Sequence, residues 1–312
     1  MNQKDLSADV LIIGAGPAGM SAAVWCRDLG LTSILFEKET ETGGQLLRIY
    51  NPVTNYPGLE TANGRELRDH FLRTLNRTNL QICFSSRSDE IDPATRSVTT
   101  MSGGRTAARA IIIATGVRRR KLNVPGEEIF AGKGVIESGS NEKERTRDKT
   151  VVIAGGGDAA VENALILAEF AFEIYVVHRG SQLRARPEFI DKAKQNPKIK
   201  FRFETVISSI KGGERVEAVE LTNTESGVAE TIAAEIVLAR IGVEPNTEFL
   251  KDSVKLDTKG YILINSNCET SAAGIYAVGD VANPISPTII TAAGMGAAAA
   301  KAIKASIHRT RI

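Results

Sequence analysis

Two stretches of this chain have the residue types and spacing to hold phosphate, and they end in opposite charges. In the first, Gly14-x-Gly16-x-x-Gly19, with Pro17 and Ala18 inside it, follows the apolar run Val10–Ile13, and Glu37 stands eighteen residues beyond Gly19. Gly14 permits a tight turn, Gly16 lets the backbone approach a pyrophosphate, and Gly19 lets a helix pack closely on a strand. Phosphates then meet the free N–H groups and the positive dipole end of a helix N-terminus. A carboxylate at the distance of Glu37, with Lys38 beside it, suits a ribose hydroxyl.

In the second stretch, Gly155-Gly156-Gly157-Asp158-Ala159-Ala160 fits G-x-G-x-x-A directly after Thr150–Ala154. Where the first stretch has Glu37, this one has His178 and Arg179, with Arg184 shortly after. Cations at the ribose position suit a 2′-phosphate, which favours NADPH over NADH. His178 fits a stacking or structural role as well as a ligand contact. A third feature is the run Gly274–Val278 closing on Gly279-Asp280. It places a carboxylate beside the first dinucleotide, where its natural partner is a polyol hydroxyl of a flavin chain. Two dinucleotide sites of opposite ribose chemistry imply two cofactors, FAD and a pyridine nucleotide, with hydride passing from nicotinamide to flavin.

These groups need parallel strands and following helices to hold them. Val10–Ile13, Ser33–Phe36, Ala110–Ala114, Thr150–Ala154 and Glu173–Val177 are short apolar, β-branched runs, the pattern of strands buried on both faces. Helical runs follow each glycine motif, Met20–Leu29 and Val161–Phe170, and Gly64–Asn76 is amphipathic through Leu67, Phe71, Leu72 and Leu75. Lys200–Ala239, with Phe201-Arg202-Phe203 and Val216–Leu221, suggests an antiparallel meander. Loops rich in Gly, Pro and Asn, Glu41–Leu46 and Tyr50–Gly58, follow the first unit. Paired glycines there, Gly43 and Gly44 before Gln45 and Leu46, let the backbone lie against a ring or a phosphate. The run Ile289–Ile307 is a small-residue helix able to approach a ring system. Arg118-Arg119-Arg120-Lys121 reads as a solvated face at a domain junction, with docking of an acidic partner as the other reading.

A length of 312 residues allows two domains with proper cores. The net charge of +2 argues against nucleic acid or a membrane surface as the main partner. No signal-like core precedes Asp9 and no apolar run reaches a membrane span, so a cytoplasmic location is expected. Cys26, Cys83 and Cys268 lie far apart with no C-x-x-C, which argues for packed thiols in a reducing compartment. The sequon Asn76-Arg77-Thr78 then has no significance. With His70, His178 and His308 as the only histidines, no metal centre is expected.

The motifs together resemble the low-molecular-weight thioredoxin reductase group over nearly the whole chain. Gly14–Gly19, Gly43-Gly44-Gln45, Asn55-Tyr56-Pro57-Gly58, Ala114-Thr115-Gly116, Gly155–Ala160, Gly242-Val243-Glu244-Pro245-Asn246 and Gly274–Asp280 stand in the group's order. The resemblance implies an α/β fold of two Rossmann-like, three-layer nucleotide-binding domains, the second inserted in the first, each with a small antiparallel meander. Residues 1–120 and 246–312 would form the FAD-binding domain and 121–245 the NAD(P)H-binding domain. The resemblance also implies a homodimer of subunits whose lobes rotate. It adds Gly44, Gln45, Leu46, Asn55, Ala114, Thr115, Gly116, Thr288 and Ile289 to the expected FAD contacts, and Gly242 to those of NADPH.

Three departures stand out. Counted back from Gly155, the group's C-x-x-C falls on Ser138 and Asn141, which cannot cycle between dithiol and disulfide. The group's His-Arg-Arg reads His178-Arg179-Gly180, and Pro287-Thr288-Ile289 stands where an Arg-Gln pair is usual. The scaffold without C-x-x-C resembles the ferredoxin/flavodoxin–NADP reductases of thioredoxin-reductase type. It implies a flavin that passes electrons to an external carrier, a small acidic ferredoxin or flavodoxin. The alternatives are a divergent disulfide reductase, a quinone or oxygen reductase, or an FAD-binding sensor with little turnover.

Overall fold

The computed structural model describes residues 7–77 and 80–309. Thr78 of the sequon and the terminal stretches 1–6 and 310–312 lie outside the described residues. The chain divides into two compact units, one built from residues up to Arg118 and from Glu244 onward, the other from Arg119 to Val243.

In the first unit the chain runs through β1 (Ser7–Ile13), α1 (Pro17–Asp28), β2 (Ser33–Phe36), α2 (Gly64–Leu75), β3 (Gln81–Cys83), β4 (Ser88–Asp92), β5 (Ser97–Thr100), β6 (Arg105–Ile113) and β7 (Val117–Arg119), whose last residue begins the second unit. The sheet order is β3-β2-β1-β6-β5-β4. β6 changes partner along its length: Arg105–Ala107 pair antiparallel with β5, while Ile111–Ile113 pair parallel with a strand from the returning chain, given below. β1 is apolar throughout because both faces are covered. Val10 and Ile12 face a core with α1 residues such as Met20, Ala22 and Cys26, and Leu11 and Ile13 face a second core holding Ile91, Val98 and Leu250. α2 begins with a reciprocal cap: Asn63 Oδ1 accepts the Glu66 N–H at 3.0 Å, and Glu66 Oε2 accepts the Ala62 N–H at 2.7 Å.

The second unit contains β8 (Val135–Ile136), α3 (Gly139–Glu142), β9 (Thr150–Ala154), α4 (Asp158–Ala168), β10 (Glu173–Val177), α5 (Pro187–Gln195), β11 (Ile199–Arg202), β12 (Thr205–Lys211), β13 (Ala218–Asn223), β14 (Ala229–Ala233) and β15 (Ile236–Ala239). Its parallel sheet has the order β11-β10-β9-β15-β8, and β12-β13-β14 form a separate antiparallel sheet. The layering repeats that of the first unit. Val151 and Ile153 of β9 pack with α4, while Val152 and Ala154 pack with Ile207, Val219 and Leu221 of the meander. The first unit resumes at β16 (Val243–Pro245), whose first residue belongs to the second unit, and closes with β17 (Ile275–Ala277), the parallel partner of β6, and α6 (Ile289–Arg309).

The structure corrects one expectation. Phe201 and Arg202 lie in β11, a parallel edge strand on β10, and not in the meander. Alternation of apolar and polar residues marks any half-exposed strand, so it does not distinguish a parallel edge from a hairpin. The small residues of α6 serve helix packing: a methyl on Gly296 would collide with the Ala18 carbonyl oxygen, and Ser21 Oγ donates to the Ala293 carbonyl at 2.7 Å. Small residues thus let α6 lie close against α1.

Candidate functional site

In the first unit the turn between β1 and α1 is shaped by two crowded glycines and one open one. Gly14 has φ +103°, and a Cβ there would lie 2.5 Å from the Ala114 carbonyl oxygen at the end of β6. A methyl on Gly19 would overlap the Gly14 carbonyl oxygen, so α1 can leave β1 this tightly only with glycine at that position. Gly16 meets nothing within 4 Å. The order of the three roles matches the dinucleotide motif, with the open position where a pyrophosphate would lie. Gly44 arches over this turn, its Cβ position 3.1 Å from the Gly16 Cα, and Gly43 N–H donates to the Ala15 carbonyl at 2.8 Å.

Glu37 is buried at the end of β2. Its Oε2 accepts the Ala15 N–H at 2.7 Å and its Oε1 accepts the Glu39 N–H at 2.9 Å. Each oxygen keeps a lone pair for a further donor. Lys38 beside it is exposed. Ala114-Thr115-Gly116 is clamped by Asn246, the last residue of the motif Gly242–Asn246. Asn246 Nδ2 donates to the Thr115 carbonyl at 2.8 Å, and Thr115 Oγ1 donates to the Asn246 carbonyl at 2.9 Å. Gln45 Nε2 donates to the Val117 carbonyl at 2.6 Å and Leu46 is fully buried, so both hold the loop in place. Asn55 and Thr288 are exposed and Ile289 half-buried at the start of α6.

Gly279, with φ +74°, packs against Ala18 of α1. Burial pushes the neighbouring Asp280 carboxyl above the usual carboxylate range. Among the described residues its side chain has no hydrogen-bond or ion-pair partner. A desolvated carboxylate without a donor, in the turn after β17 whose Gly279 packs on Ala18 of α1, fits a polyol hydroxyl. The residues of this unit therefore fit FAD.

The second unit repeats the arrangement with different charges. A Cβ on Gly155, at φ +145°, would overlap the Arg240 carbonyl oxygen, while Gly157 meets nothing within 4 Å. A Cβ on Gly156 would overlap the His178 ring, so the imidazole packs on the glycine turn and is buried there. Burial, then Arg184 and Arg179, hold the His178 imidazole below its usual range. Arg179 and Arg184 are exposed and form no ion pair among the described residues, and the Arg184 N–H donates to the Gly156 carbonyl at 2.7 Å. Two available guanidiniums beside an open glycine turn fit a 2′-phosphate. Asp158 is committed elsewhere: its carboxylate accepts the Arg186 N–H at 2.6 Å and pairs with Arg186 Nε at 3.1 Å. Ala159 and Gly242 are exposed, and Gly242 accepts from the Arg120 N–H at 3.1 Å.

Ser138 and Asn141 sit on the single turn of α3. Ser138 Oγ accepts the Asn141 N–H at 3.3 Å, and Glu142 Oε2 accepts the N–H groups of Glu137 and Ser138 at 2.9 and 3.0 Å. This is helix-capping chemistry. All three cysteines are free. Burial, followed by Asp9, pushes the Cys26 thiol up to about 12, and burial also raises Cys268 and Cys83. A thiol held protonated is a poor nucleophile.

The basic run is not a bare patch. Arg118 pairs with Glu244 and Glu248, Lys121 with Glu128, Arg145 with Glu142 and Arg147 with Glu144. The acidic residues that neutralise it lie far from it in the sequence, save Glu128, Glu142 and Glu144. No group of three His, Cys, Asp or Glu among the described residues is placed to hold a metal ion, and no described helix is long and apolar enough to cross a membrane.

The profile of the family described as pyridine nucleotide-disulphide oxidoreductase matches residues 8–296. The chain is 35% identical over 297 residues to a thioredoxin reductase of Mycolicibacterium smegmatis, covering 93% of this chain and 94% of that one. It is 32% identical over 295 residues to a thioredoxin reductase of Streptomyces clavuligerus, covering 94% and 91%. Among solved structures it is similar to Lactococcus lactis thioredoxin reductase, with a TM-score of 0.83 at 31% identity over 97% of this chain and 99% of that one. It shares its fold with the bacillithiol disulfide reductase of Bacillus cereus, with a TM-score of 0.79 at 22% identity over 96% of this chain and 100% of that one.

Proposed function

The chain belongs to the pyridine nucleotide-disulphide oxidoreductase family, and from that premise we propose that it is a flavoprotein reductase that works without an internal dithiol. It is an FAD-dependent NAD(P)H oxidoreductase. FAD and NADPH, when bound, supply the chemistry: hydride passes from nicotinamide to flavin, and the electrons leave from there to an acceptor.

The protein's own residues hold and orient these groups. Gly14, Gly16, Pro17, Ala18 and Gly19 present the N-terminus of α1 to the FAD pyrophosphate, Glu37 accepts from the ribose, and Asp280 accepts from the polyol. The loop residues Gly44, Gln45, Leu46 and Asn55, with Ala114–Gly116, Gly279, Thr288 and Ile289, complete the FAD side. Gly155, Gly157 and Ala159 present α4 to the nucleotide diphosphate, Arg179 and Arg184 take the 2′-phosphate, and Gly242 lines the nicotinamide side. His178 supports the glycine turn as a neutral ring.

The observation that carries the acceptor assignment is the pairing of two complete glycine turns with the absence of any neighbouring thiols. Ser138 and Asn141 stand where the group's dithiol is expected, and Cys26, Cys83 and Cys268 are single and held protonated. Electrons therefore leave for an external acceptor, first of all a small acidic carrier of the ferredoxin or flavodoxin kind. A homodimer is part of this reading. The relatives named thioredoxin reductase favour a second reading, reduction of an external disulfide.

Steady-state turnover with NADPH and each acceptor separates the two. A ferredoxin, a flavodoxin or an artificial one-electron acceptor should be reduced, and thioredoxin should not. Thioredoxin reduction that survives replacement of all three cysteines by alanine would overturn the dithiol argument. The paired state of Arg118, Lys121, Arg145 and Arg147 predicts a weak dependence of carrier turnover on salt.

A further inference from the structure

The loop that arches over the first glycine turn contains two glycines with positive φ, Gly43 at +130° and Gly44 at +53°. Glycine reaches these values at no steric cost, but it reaches others as readily, so the pair does not fix its own conformation. α2 holds the loop at both ends. At the far end, a Cβ on Gly64 would overlap the Leu46 carbonyl oxygen, and the Gly64 N–H donates to the Ile49 carbonyl at 2.9 Å. At the near end stands Arg68, whose side chain is only 14% exposed. A Cβ on Gly43 would lie 2.9 Å from the Arg68 Cγ. Arg68 Nη1 donates to Glu41 Oε2 at 3.2 Å and to the Thr42 carbonyl at 3.4 Å, and its Nε lies 2.8 Å from Asp69 Oδ1. Arg65, one turn earlier on α2, donates to both Glu41 oxygens at 3.2 Å. Hydrogen bonding from Arg65, which outweighs desolvation, and then the charges of Arg65 and Arg68 hold the Glu41 carboxyl below the usual range.

We propose that Arg68 and Glu41 are positioning residues for FAD: an ion-pair latch, mounted on α2, that keeps the loop 41–46 closed over the glycine turn and so sets how fast FAD leaves. In the closed loop the Cβ position of Gly44 lies 3.1 Å from the Cα of Gly16, the open glycine. A diphosphate seated on that turn enters and leaves past Gly44. Neither Arg68 nor Glu41 belongs to the glycine motif or to the ribose position, so both act through the loop. Releasing the latch raises the population of open loop and speeds release in proportion. The proposal rests on the placement of the FAD pyrophosphate at Gly16 and adds to it a control on cofactor retention.

Dilution of the FAD-loaded protein, with free FAD measured over time at low and at moderate salt, tests it. Arg68→Met keeps the apolar stem against Gly43 and removes the charge, and Glu41→Gln keeps the shape and removes the charge. Each should release FAD roughly three- to tenfold faster than wild type, the range for one partly exposed charged contact. Arg68→Lys should restore part of the retention. The double variant should match Glu41→Gln, because the two residues act as one pair. Moderate salt should speed release from wild type more than from Glu41→Gln, since screening weakens only an intact latch. Thermal melts at saturating FAD report folding independently. Wild-type release rates in Arg68→Met and Glu41→Gln, with lowered melting temperatures, would make the pair a brace for α2 and end the proposal. Effects that multiply in the double variant would end it too, since they would mean two separate roles. Gly16→Val separates this failure from failure of the cofactor placement. Normal FAD retention in Gly16→Val removes the placement and the latch together, whereas a colourless Gly16→Val beside unchanged release in the latch variants removes the latch alone.

Discussion

The two units use one frame in two ways. Each places an open glycine, Gly16 or Gly157, two residues after a crowded one, Gly14 or Gly155, and each ends its second strand in a charge or charges. In the first unit that charge is part of the fold: Glu37 is buried and bonded to the backbone of Ala15 and Glu39. In the second the fold uses the buried His178, and the charges, Arg179 and Arg184, are exposed and form no ion pair among the described residues. Under the proposed assignment, stability and ligand recognition are therefore joined in the first unit and separable in the second.

The sharpest test concerns the glycines. Gly19→Val and Gly155→Val drive a side chain into a backbone carbonyl and should cost on the order of 3 kcal/mol or more, read as a large fall in melting temperature or loss of soluble protein. Gly16→Val and Gly157→Val enter open space. They should keep the melting temperature of the cofactor-free protein, while the first purifies colourless and the second loses NADPH binding. Full flavin occupancy in Gly16→Val would misplace the site.

Glu37→Ala removes two charge-assisted bonds to backbone, each worth about 1.5–3 kcal/mol. Melting temperature and flavin content should fall together. A variant with normal stability and no flavin would break the contrast between the units.

Arg179→Ala or Arg184→Ala should weaken NADPH roughly tenfold to a hundredfold and leave NADH nearly unchanged, with stability within about 0.5 kcal/mol of the parent. Equal losses for both nucleotides would remove the 2′-phosphate role.

The smallest effect is on pH dependence. His178 titrates below its ordinary 6.5 because of burial and then Arg184 and Arg179. As pH falls the unfolded chain takes up this proton first, so the contribution present above about 6.5 is lost as pH drops through the folded value. Arg184→Gln should raise the His178 titration midpoint seen by NMR. An unchanged midpoint would mean that burial alone sets it.

Much of this was legible in the sequence because it is local. Strand, glycine spacing, helix and terminal charge occupy one βαβ unit, so Val10–Glu37 and Thr150–Arg179 could be read without tertiary information. α5 also carries local helix signals, Pro187 at its first position with Glu188 early and Lys192 and Lys194 late. Side-chain periodicity could not say that β11 pairs with β10, because pairing direction depends on a partner distant in the chain.

The order of residue types along the chain was sufficient for the two glycine turns, for the opposite charges that follow them, and for the lack of a C-x-x-C pair. Each follows from neighbours in sequence or from composition. Only the tertiary structure decided that Glu37 braces the turn it serves, that Asn246 clamps Thr115, that small residues let α6 lie close against α1, and that Arg68 meets Glu41 beside Gly43. The reason is the same in every case: a hydrogen bond or a close packing contact depends on distance in space, and these partners are brought together by sheet order and layering, which no local pattern encodes.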